Sequence, residues 1–473
     1  MDKEYTILHI SDLHKSEEDS YTDLMESLRM DCETYEQEGI KKPEIIVVSG
    51  DIAEGAEGPD ADAKIERQYA EATSFLQQLT EFFLDGDKTR LIIVPGNHDV
   101  CRGISKEACV PSTNDRREDY KIFKIGESNI RWSWNDFGFY KIANRDKYEK
   151  RFCHFVRFYN DFYGGIRTLQ EDCALHGDVI EIGSHNIAFL TLNSGHNLDH
   201  LNDAGSIYPG AVTENGRELS SLKKKGRLLC AVWHHHISGL PTEHNYLDYR
   251  ILTSLMRYNI QLGLFGHQHK SKVVQQFFDV TEEKEMFLVS AGCLYGNVKQ
   301  LPPDTSRQYN LISVKMHGQQ ARIEVRTRKD QSEGQYQIPS WGHSNIGNSN
   351  HDVVVKELSL PEPTVIPIND LINELDIKIR TSGDYLCGIR ELVPLREENA
   401  IIERYIDDYI DNLKPENCYE VFDILGDIRS QRQAMYLLGA AKSLRDQKLM
   451  TQLKAVAFIK NSEDPMVVIL RDE

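Results

Sequence analysis

The sequence lacks long apolar runs and paired cysteines. No run approaches the roughly 20 apolar residues that a membrane-spanning helix needs, so no membrane association is expected. The first residues, MDKEYTILHISDLH, carry acidic side chains and none of the apolar stretch that a secretory signal has. The nine cysteines are scattered and form no C-x-x-C pair. This pattern favours reduced thiols in a cytoplasmic protein over a disulfide framework or a zinc ribbon.

Positive charge is also scarce. Lys and Arg number 55 against 74 Asp and Glu, which gives a formal net charge of -19. Broad, sequence-independent coating of nucleic acid needs a basic surface, and the charge excludes that class of protein. A local basic groove or a metal-centred site stays compatible with an acidic surface.

Short apolar runs alternate with stretches of helical period through most of the chain. Runs at 5–11, 43–50 and 89–96 are separated by helical patterns at 18–40 and 64–84. The apolar pattern resumes in four further runs, at 186–194, 227–236, 260–269 and 286–292. Buried strands between helices have this appearance, so the sequence predicts an α/β fold over residues 1–330.

Three segments depart from the alternation. Residues 101–180 are long, polar and aromatic, and we predict an insertion over the site rather than part of the sheet. Residues 331–367 are crowded with Gly, Ser, Asn and Pro, which predicts a linker. Residues 368–473 return to a helical period and predict a small C-terminal helical domain that serves as an interaction module.

Polar side chains follow five of the apolar runs at the point where each run ends. They are carboxylates, imidazoles and one amide: Asp12, His14, Asp51, Asn97, His98, Asp99, His234, His235, His236, His267 and His269. Side chains just beyond the carboxyl ends of strands converge on one crevice in an open α/β sheet. We therefore expect these residues to share one site.

The residue types indicate metal binding. Imidazole and carboxylate without thiolate suit manganese, iron, zinc or cobalt, and manganese is the expected ion. The ligands are too many for one tetrahedral ion, but a bridging carboxylate allows two divalent ions about 3.5–4 Å apart, as in phosphoryl chemistry. Asn97 is predicted to be a neutral oxygen ligand. His98 is predicted to donate a proton or stabilise charge, and Asp99 to orient His98.

With these residues the chain resembles the calcineurin-like metallophosphoesterases. The motifs D-x-H, G-D, G-N-H-D, H and G-H-x-H occur in that order, as Asp12-Leu13-His14, Gly50-Asp51, Gly96-Asn97-His98-Asp99, His234 and Gly266-His267-Gln268-His269. The resemblance covers roughly residues 1–330. It implies a β-sandwich flanked by helices and a binuclear metal centre.

The resemblance also implies how the ligands are shared. The first metal ion would take Asp12, His14, Asp51 and His269. The second would take Asp51, Asn97, His234 and His267, with Asp51 bridging the two ions. The run WHHHIS leaves the choice between His234 and His235 open, although the strand register favours His234. His98 and Asp99 are then the candidate catalytic residues.

Two further features carry open alternatives. In 145–163, rings and cations alternate, so the segment either stacks bases or forms an amphipathic helix that buries its rings. The helical spacing of its rings favours the second interpretation. Arg102 either contacts a substrate phosphate or forms a surface salt bridge.

Several functions share the same metal ions. The first is a phosphodiesterase acting on nucleic acid, similar in layout to DNA-repair exonucleases of the family. Such a nuclease either acts alone or is a regulated effector subunit, and the effector role is an analogy. The second is a phosphodiesterase for cyclic or small nucleotides. A protein phosphatase ranks last. Those members of the family carry the motifs G-D-x-H-G and R-G-N-H-E, where this chain has Ser11-Asp12-Leu13-His14 and Pro95-Gly96-Asn97-His98-Asp99. The non-enzyme alternative is a scaffold subunit with little activity. Both for the nuclease and for the scaffold, residues 368–473 are expected to mediate homo-oligomer or partner-protein contacts.

Overall fold

A computed structural model describes residues 3–14, 21–56, 58, 60–123, 129–238, 245–248, 250–279, 284–295, 301, 305–332, 338–346, 352–362, 368–396 and 401–472. The chain divides into two compact units, Met1–Thr364 and Val365–Glu473. Each unit has its own hydrophobic core.

The strands all belong to the first unit. They are β1 (Lys3–Ile10), β2 (Ile45–Ser49), β3 (Leu91–Val94), β4 (Cys109–Pro111), β5 (Ile130–Ser133), β6 (Gly138–Ile142), β7 (Gly177–Ile182), β8 (Ile187–Leu192), β9 (Leu228–Val232), β10 (Leu262–Phe265), β11 (Lys272–Asp279), β12 (Lys284–Ser290), β13 (Gln308–His317), β14 (Gln320–Asp330), β15 (Trp341–Ser344) and β16 (Val353–Ser359). One sheet has the order β15-β14-β13-β1-β2-β3, with β16 also paired to β14. A second sheet has the order β11-β12-β10-β9-β8-β7, and a small third sheet the order β4-β6-β5.

The helices of the first unit lie between these strands in the chain. They are α1 (Tyr21–Cys32), α2 (Ala61–Leu84), α3 (Arg102–Ala108), α4 (Arg116–Phe123), α5 (Arg145–Glu149), α6 (Cys153–Tyr163), α7 (Gly210–Thr213), α8 (Gly216–Lys224) and α9 (Arg250–Arg257). The second unit contains α10 (Ile368–Ser382), α11 (Tyr385–Leu392), α12 (Ile401–Ile410), α13 (Cys418–Leu425), α14 (Gln431–Ser443), α15 (Gln447–Ala455), α16 (Ala457–Lys460) and α17 (Pro465–Asp472).

The two large sheets pack face to face, and helices cover their outer faces. Ile7 of β1 lies in the core between the sheets, together with Phe189 and Val232 of the second sheet. Its neighbours Leu8 and Ile10 point the other way, into the core under α1, α2 and α6. The central strands are mostly apolar because both of their faces are buried, and their few polar side chains, such as Thr6 and His9 of β1, are buried too. The predicted α/β sandwich flanked by helices is confirmed.

The segment 101–180 differs in extent from its prediction. It forms α3 to α6 and the small sheet, but its last residues form β7, the edge strand of the second sheet. The rings of 145–163 are buried, as an amphipathic helix requires, and Phe155, Tyr159 and Phe162 lie in the core. Arg151 is buried too, and donates to the carbonyl oxygens of His196 and Leu198 at 2.5 and 3.0 Å. These groups are therefore committed to packing rather than to base stacking.

Residues 331–367 are not the free linker that their composition predicts. Of this range the structure describes 331–332, 338–346 and 352–362. Both β15 and β16 pair antiparallel with β14. Leu358 and Leu360 are buried in the core between the sheets. The strand VVVKELS at 353–359 was obscured by the Gly, Ser, Asn and Pro that surround it.

The second unit is helical throughout its described residues. Its core is formed by apolar side chains of α10 to α17, among them Tyr409 and Leu437. Arg396 is buried and forms an ion pair with Glu403 at 2.6 Å. It also donates to the backbone carbonyl oxygen of Leu425 at 3.0 Å, so its charge is matched within the unit. Among the described helices of the chain, none is long and apolar enough to cross a membrane.

Candidate metal centre

The carboxyl ends of the central strands meet at one edge of the sandwich. Parallel pairing aligns Ile10 of β1 with Val48 of β2 and continues the same edge into β3. In the second sheet β9, β10 and β12 are also parallel to one another. A bridge between Ser11 and Cys293 joins the two edges. The residues that follow these strands therefore face one another across the gap between the sheets.

One group of predicted ligands surrounds the amide of Asn97. Its Oδ1 lies 2.9 Å from His234 Nε2 and 2.8 Å from His267 Nδ1. His234 Nε2 also lies 3.1 Å from Asp51 Oδ2. The structure thus brings together the four residues expected at the second metal ion.

The other group surrounds Asp12. Its Oδ1 lies 3.3 Å from His269 Nε2 and 4.0 Å from His14 Nε2. The ligand atoms of Asp12, Asp51 and His234 lie within 4.8 Å of one another, so the two groups are contiguous. The charge of Asp51 raises the pKa of both His14 and His234, so its carboxylate lies close to both groups. A bridging carboxylate needs such a position.

Several of these atoms are buried without a hydrogen-bond partner. They include Asp12 Oδ1, both ring nitrogens of His14, and His267 Nε2. A buried polar atom without a partner costs about 1–3 kcal/mol, so native proteins rarely leave several in one place. Metal ions bound to these atoms would remove that cost. The donor set and its unpartnered atoms fit a pair of divalent ions.

The protonation preferences agree with this fit. Burial lowers the pKa of His14 to about 4 and that of His267 to about 3, so both rings are neutral at physiological pH and have a lone pair to give. Burial also lowers the pKa of His234, but the carboxylates of Asp51 and Asp12 outweigh this effect and raise it to about 9. A bound cation would take the place of the proton that His234 holds between these carboxylates.

Backbone strain is concentrated at the ligands. Asp12, Asp51, His267 and His269 have φ angles of 55°, 53°, 78° and 55°, in the left-handed region that side chains other than glycine rarely adopt. Strained residues persist where the surrounding structure fixes them, and they cluster at functional sites. Four of the seven expected metal ligands therefore lie on strained backbone.

Glycine at position 50 has a packing reason. Its φ is 99°, and a Cβ atom there would lie 2.5 Å from Nδ1 of His234. The ring of His234 therefore packs directly on this backbone, and its Nδ1–H donates to the Ser49 carbonyl oxygen at 2.8 Å. This bond fixes the tautomer and leaves Nε2 to face Asp51 and Asn97.

His98 lies beside the ligands without joining them. Its ring stacks on that of His14 with centroids 5.1 Å apart, and its backbone N–H donates to Asp51 Oδ1 at 2.9 Å. Its Nδ1 lies 2.7 Å from the Glu54 carbonyl oxygen and must carry the hydrogen of that bond. Nε2 is then the ring atom that remains to exchange a proton.

Asp99 does not orient His98, contrary to the expectation. Its carboxylate accepts from the backbone N–H groups of Gly96, Ile52 and Ala53 at 2.8, 3.2 and 3.2 Å, and from the Tyr69 hydroxyl at 2.8 Å. The group that holds the His98 ring is the Glu54 carbonyl. Asp99 instead ties the loop after β2 to the loop after β3, and is a positioning residue for both.

The run His234-His235-His236 has three different environments. His234 alone contacts Asp51 and Asn97, which supports it over His235 as the ligand. His235 Nδ1 is 2.8 Å from Ser194 Oγ, and its ring is tilted against that of His267. His236 packs edge-on against Phe265, away from the ligands.

Sequence reasoning missed Cys293. Its thiol lies with His14 and His269 in a group whose ligand atoms are within 4.8 Å of one another, and it donates to the Asp12 carbonyl oxygen at 3.1 Å. The available signal was its place after β12, a sixth strand that ends at the same edge. Arg102 takes the surface alternative, with an ion pair to Asp203 at 2.6 Å.

The chain belongs to the calcineurin-like phosphoesterase family, whose model matches residues 5–271. The matched range contains every predicted metal ligand, from Asp12 to His269. Members typically bind two divalent metal ions, and membership supports a metal-dependent phosphoesterase activity. None of the curated proteins compared with the chain matches it.

Solved structures that match this chain are distant in sequence. GAP50, described as the anchor in the inner membrane complex of Plasmodium, is 11% identical, with a TM-score of 0.34, over 78% of this chain and 93% of its own. A dimetal phosphatase from Danio rerio is 14% identical, with a TM-score of 0.33, over 67% and 95%. The calcineurin-like phosphoesterase YfkN from Bacillus subtilis is 12% identical, with a TM-score of 0.28, over 76% and 91%. The family assignment rests on the family model.

Proposed function

We propose that the protein is a two-metal phosphodiesterase that cleaves nucleic acid, with manganese as the ion. The observation that carries the proposal is the convergence of buried donor atoms, several without hydrogen-bond partners, at the strand ends. The first ion would be held by Asp12, His14, Asp51 and His269. The second would be held by Asp51, Asn97, His234 and His267.

The residues divide the chemistry between them. When bound, the two ions supply Lewis acidity toward the phosphate oxygens and lower the pKa of water. Asp51 would belong to both ligand sets and so would join them. His98, held by the Glu54 carbonyl through Nδ1, presents Nε2 to the leaving oxygen and delivers a proton there.

Two observations bear on the alternatives. Each expected ligand position is filled by a residue that can coordinate a metal, which favours an active enzyme over a scaffold. The appended helical unit favours a nuclease in an assembly over a self-sufficient enzyme for cyclic nucleotides, which is the second candidate. We assign self-association or partner binding to residues 368–473, and a cytoplasmic location to the whole.

Substitution of Asp51 tests the proposal. Asp51→Asn should release at least one ion and lower hydrolysis of bis(4-nitrophenyl) phosphate by about a thousandfold, since the variant loses the shared carboxylate. Elemental analysis and initial rates measure both effects. Asp85→Asn is the matched control, because Asp85 is an exposed aspartate that also has a positive φ, of 54°. Full metal content and full rate in Asp51→Asn would contradict the bridging assignment.

A further inference from the structure

A cleft away from the metal ligands is lined by residues of the inserted segment, between 115 and 139, and by the loop 197–206. It has a volume of about 1160 Å³ and lies between α4, the β5–β6 hairpin and the loop 197–206. We call it the aromatic groove. Pockets for single small molecules usually measure about 300–1,000 Å³, so the groove has room for an extended ligand.

Aromatic rings form one wall of the aromatic groove. Trp132 packs edge-to-face on Phe139 and on Trp134, with centroids 4.8 and 5.7 Å away. Phe123 of α4 lies 5.9 Å from Phe139. Trp134 is 71% exposed, so a large apolar ring is left in water on a protein that buries its other aromatic segment. Exposed rings that share one cleft indicate a binding surface.

Cations line the same cleft. The Arg116 guanidinium lies 5.2 Å from the centre of the Trp132 ring, and Arg117 and Lys121 also line the groove. Among the described residues no carboxylate pairs with any of these three side chains. The lining also contains one carboxylate, Asp115, and the buried Arg131, which pairs with Asp199. Cations therefore outnumber carboxylates in the lining of the groove, on a chain with a net charge of -19. The groove is thus complementary to an anion that also has flat faces.

One hydrogen-bond donor in the groove has no acceptor. The Nε1–H of Trp132 is buried and has no partner in the described part of the chain. An indole N–H is only a donor, and one without a partner is costly. Because no water molecule can reach this nitrogen, a ligand in the groove would satisfy it only after a shift of the Trp132 ring. The case for an occupant therefore rests on the exposed rings and the cations.

One loop contacts both the groove and the residues beside the metal centre. Ser206 lines the groove, and its backbone N–H donates to the carbonyl oxygen of Ser194 at 2.8 Å. The Ser194 hydroxyl in turn accepts from the backbone N–H of His234 at 3.2 Å. Gly205 of the same loop packs on the ring of His235, which a Cβ atom at this position would overlap. A ligand along the groove therefore lies against the loop that supports the metal ligands.

We propose that the aromatic groove binds single-stranded nucleic acid and delivers it to the metal centre. Bases stack on Trp134 and its neighbouring rings, while Arg116 and Arg117 contact phosphates, the combination that proteins use for single strands. The proposal rests on the proposed function and names its substrate as a strand rather than a single nucleotide. A peptide offers neither a regular row of phosphates nor a flat face at each step.

Binding without hydrolysis tests the groove. In buffer with EDTA, fluorescence anisotropy of a labelled 20-nucleotide oligothymidylate should report binding to the protein. Trp134→Ala should raise the Kd about tenfold. Phe137→Ala is the matched control, since Phe137 is in the same hairpin, is 68% exposed and does not line the groove. It should change the Kd less than about twofold. Equal effects of the two variants, or no binding at all, would overturn the proposal.

A charge-reversed pair gives an independent test if Trp134→Ala fails to fold. Arg116→Glu with Arg117→Glu should abolish binding, and the salt dependence of any residual binding should be shallower. Arg217→Glu with Lys223→Glu, both exposed on α8, should leave binding unchanged. Thermal melting checks that each variant folds. An acidic peptide that competes as well as the oligonucleotide would contradict the assignment to nucleic acid.

A separate readout keeps this proposal apart from the proposed function. The unsubstituted chain is assayed with manganese on bis(4-nitrophenyl) phosphate, which does not need the groove. Hydrolysis of that ester without oligonucleotide binding would overturn the groove and leave the phosphodiesterase standing. Oligonucleotide binding without any hydrolysis would support the groove and count against the enzyme.

Discussion

The metal centre and the aromatic groove hold their functional groups in opposite ways. Asp12, Asp51 and His234 are buried, and two of the three sit on strained backbone fixed by paired strands. Trp134 and the cations of α4 are exposed, Trp134 in the turn after β5 and the cations on a short helix. A rigid strand edge suits chemistry that needs fixed distances, whereas an open surface suits a ligand of variable sequence. On the two proposals, catalysis belongs to the sandwich and selection of the substrate to the segment inserted in it.

Substitution of His98 has the largest expected effect among the predictions that follow, and it separates catalysis from metal binding within the metal centre. His98→Ala should keep both ions and lower kcat by about a hundredfold, because the variant loses proton transfer and keeps the ligands. Rates on bis(4-nitrophenyl) phosphate and elemental analysis measure this. His317→Ala, at an exposed site on β13, is the control and should leave the rate unchanged. Loss of metal from His98→Ala would make His98 a ligand instead.

Substitution of Asp99 tests whether metal binding needs the two loops to be held together, in addition to the metal ligands themselves. Asp99→Asn puts an NH₂ group among donors that face the carboxylate, so we expect metal affinity to fall about tenfold and the melting temperature to fall. Tyr69→Phe removes one of these bonds, that between its hydroxyl and Asp99 Oδ1, and should have a smaller effect of the same kind.

Saturating manganese separates positioning from catalysis in this pair. If Asp99 acts by tying the two loops together, excess metal should restore most of the turnover of Asp99→Asn. A hundredfold deficit that persists at saturation would return Asp99 to the catalytic role that the sequence alone suggested.

The groups predicted from sequence are those whose position the strand ends determine. Asp12, Asp51 and His234 follow apolar runs in a family pattern, and parallel strands bring such positions together. The Glu54 carbonyl that holds His98 was not predictable, because a backbone oxygen has no signature in the sequence. Cys293 follows a strand end too, but no motif marks it. Its position beside His14 and His269 depends on contacts between the two sheets, which periodicity does not report.

The same limit explains the errors outside the site. The strand Val353–Ser359 alternates but is short and stands among turn residues, so composition predicted a linker. Its partner β14 is adjacent in space only once the sheet forms. The rings of 145–163 and those of the aromatic groove look alike in sequence, yet the first set is buried, whereas the second is half-buried or exposed. Composition predicts that rings are present but not which surface covers them.

Cutting the chain tests whether the comparison holds without the second unit, and the expected effect on catalysis is the smallest. A chain of residues 1–362 keeps β16 and every ligand, so it should fold, bind two ions and hydrolyse bis(4-nitrophenyl) phosphate within about twofold of the full rate. It should lose self-association or partner binding, as light scattering after size exclusion would show.

A chain of residues 1–349 is the matched control, because it removes β16 together with the buried Leu358 and Leu360. Burial of each leucine is worth about 1.5–3 kcal/mol, so this shorter chain should melt at a clearly lower temperature. If residues 1–362 melted as low as residues 1–349, the second unit would be part of what stabilises the sandwich. If residues 1–362 kept the oligomeric state of the full chain but no longer bound oligothymidylate, the helices would belong to substrate binding, and the aromatic groove would not be sufficient for it.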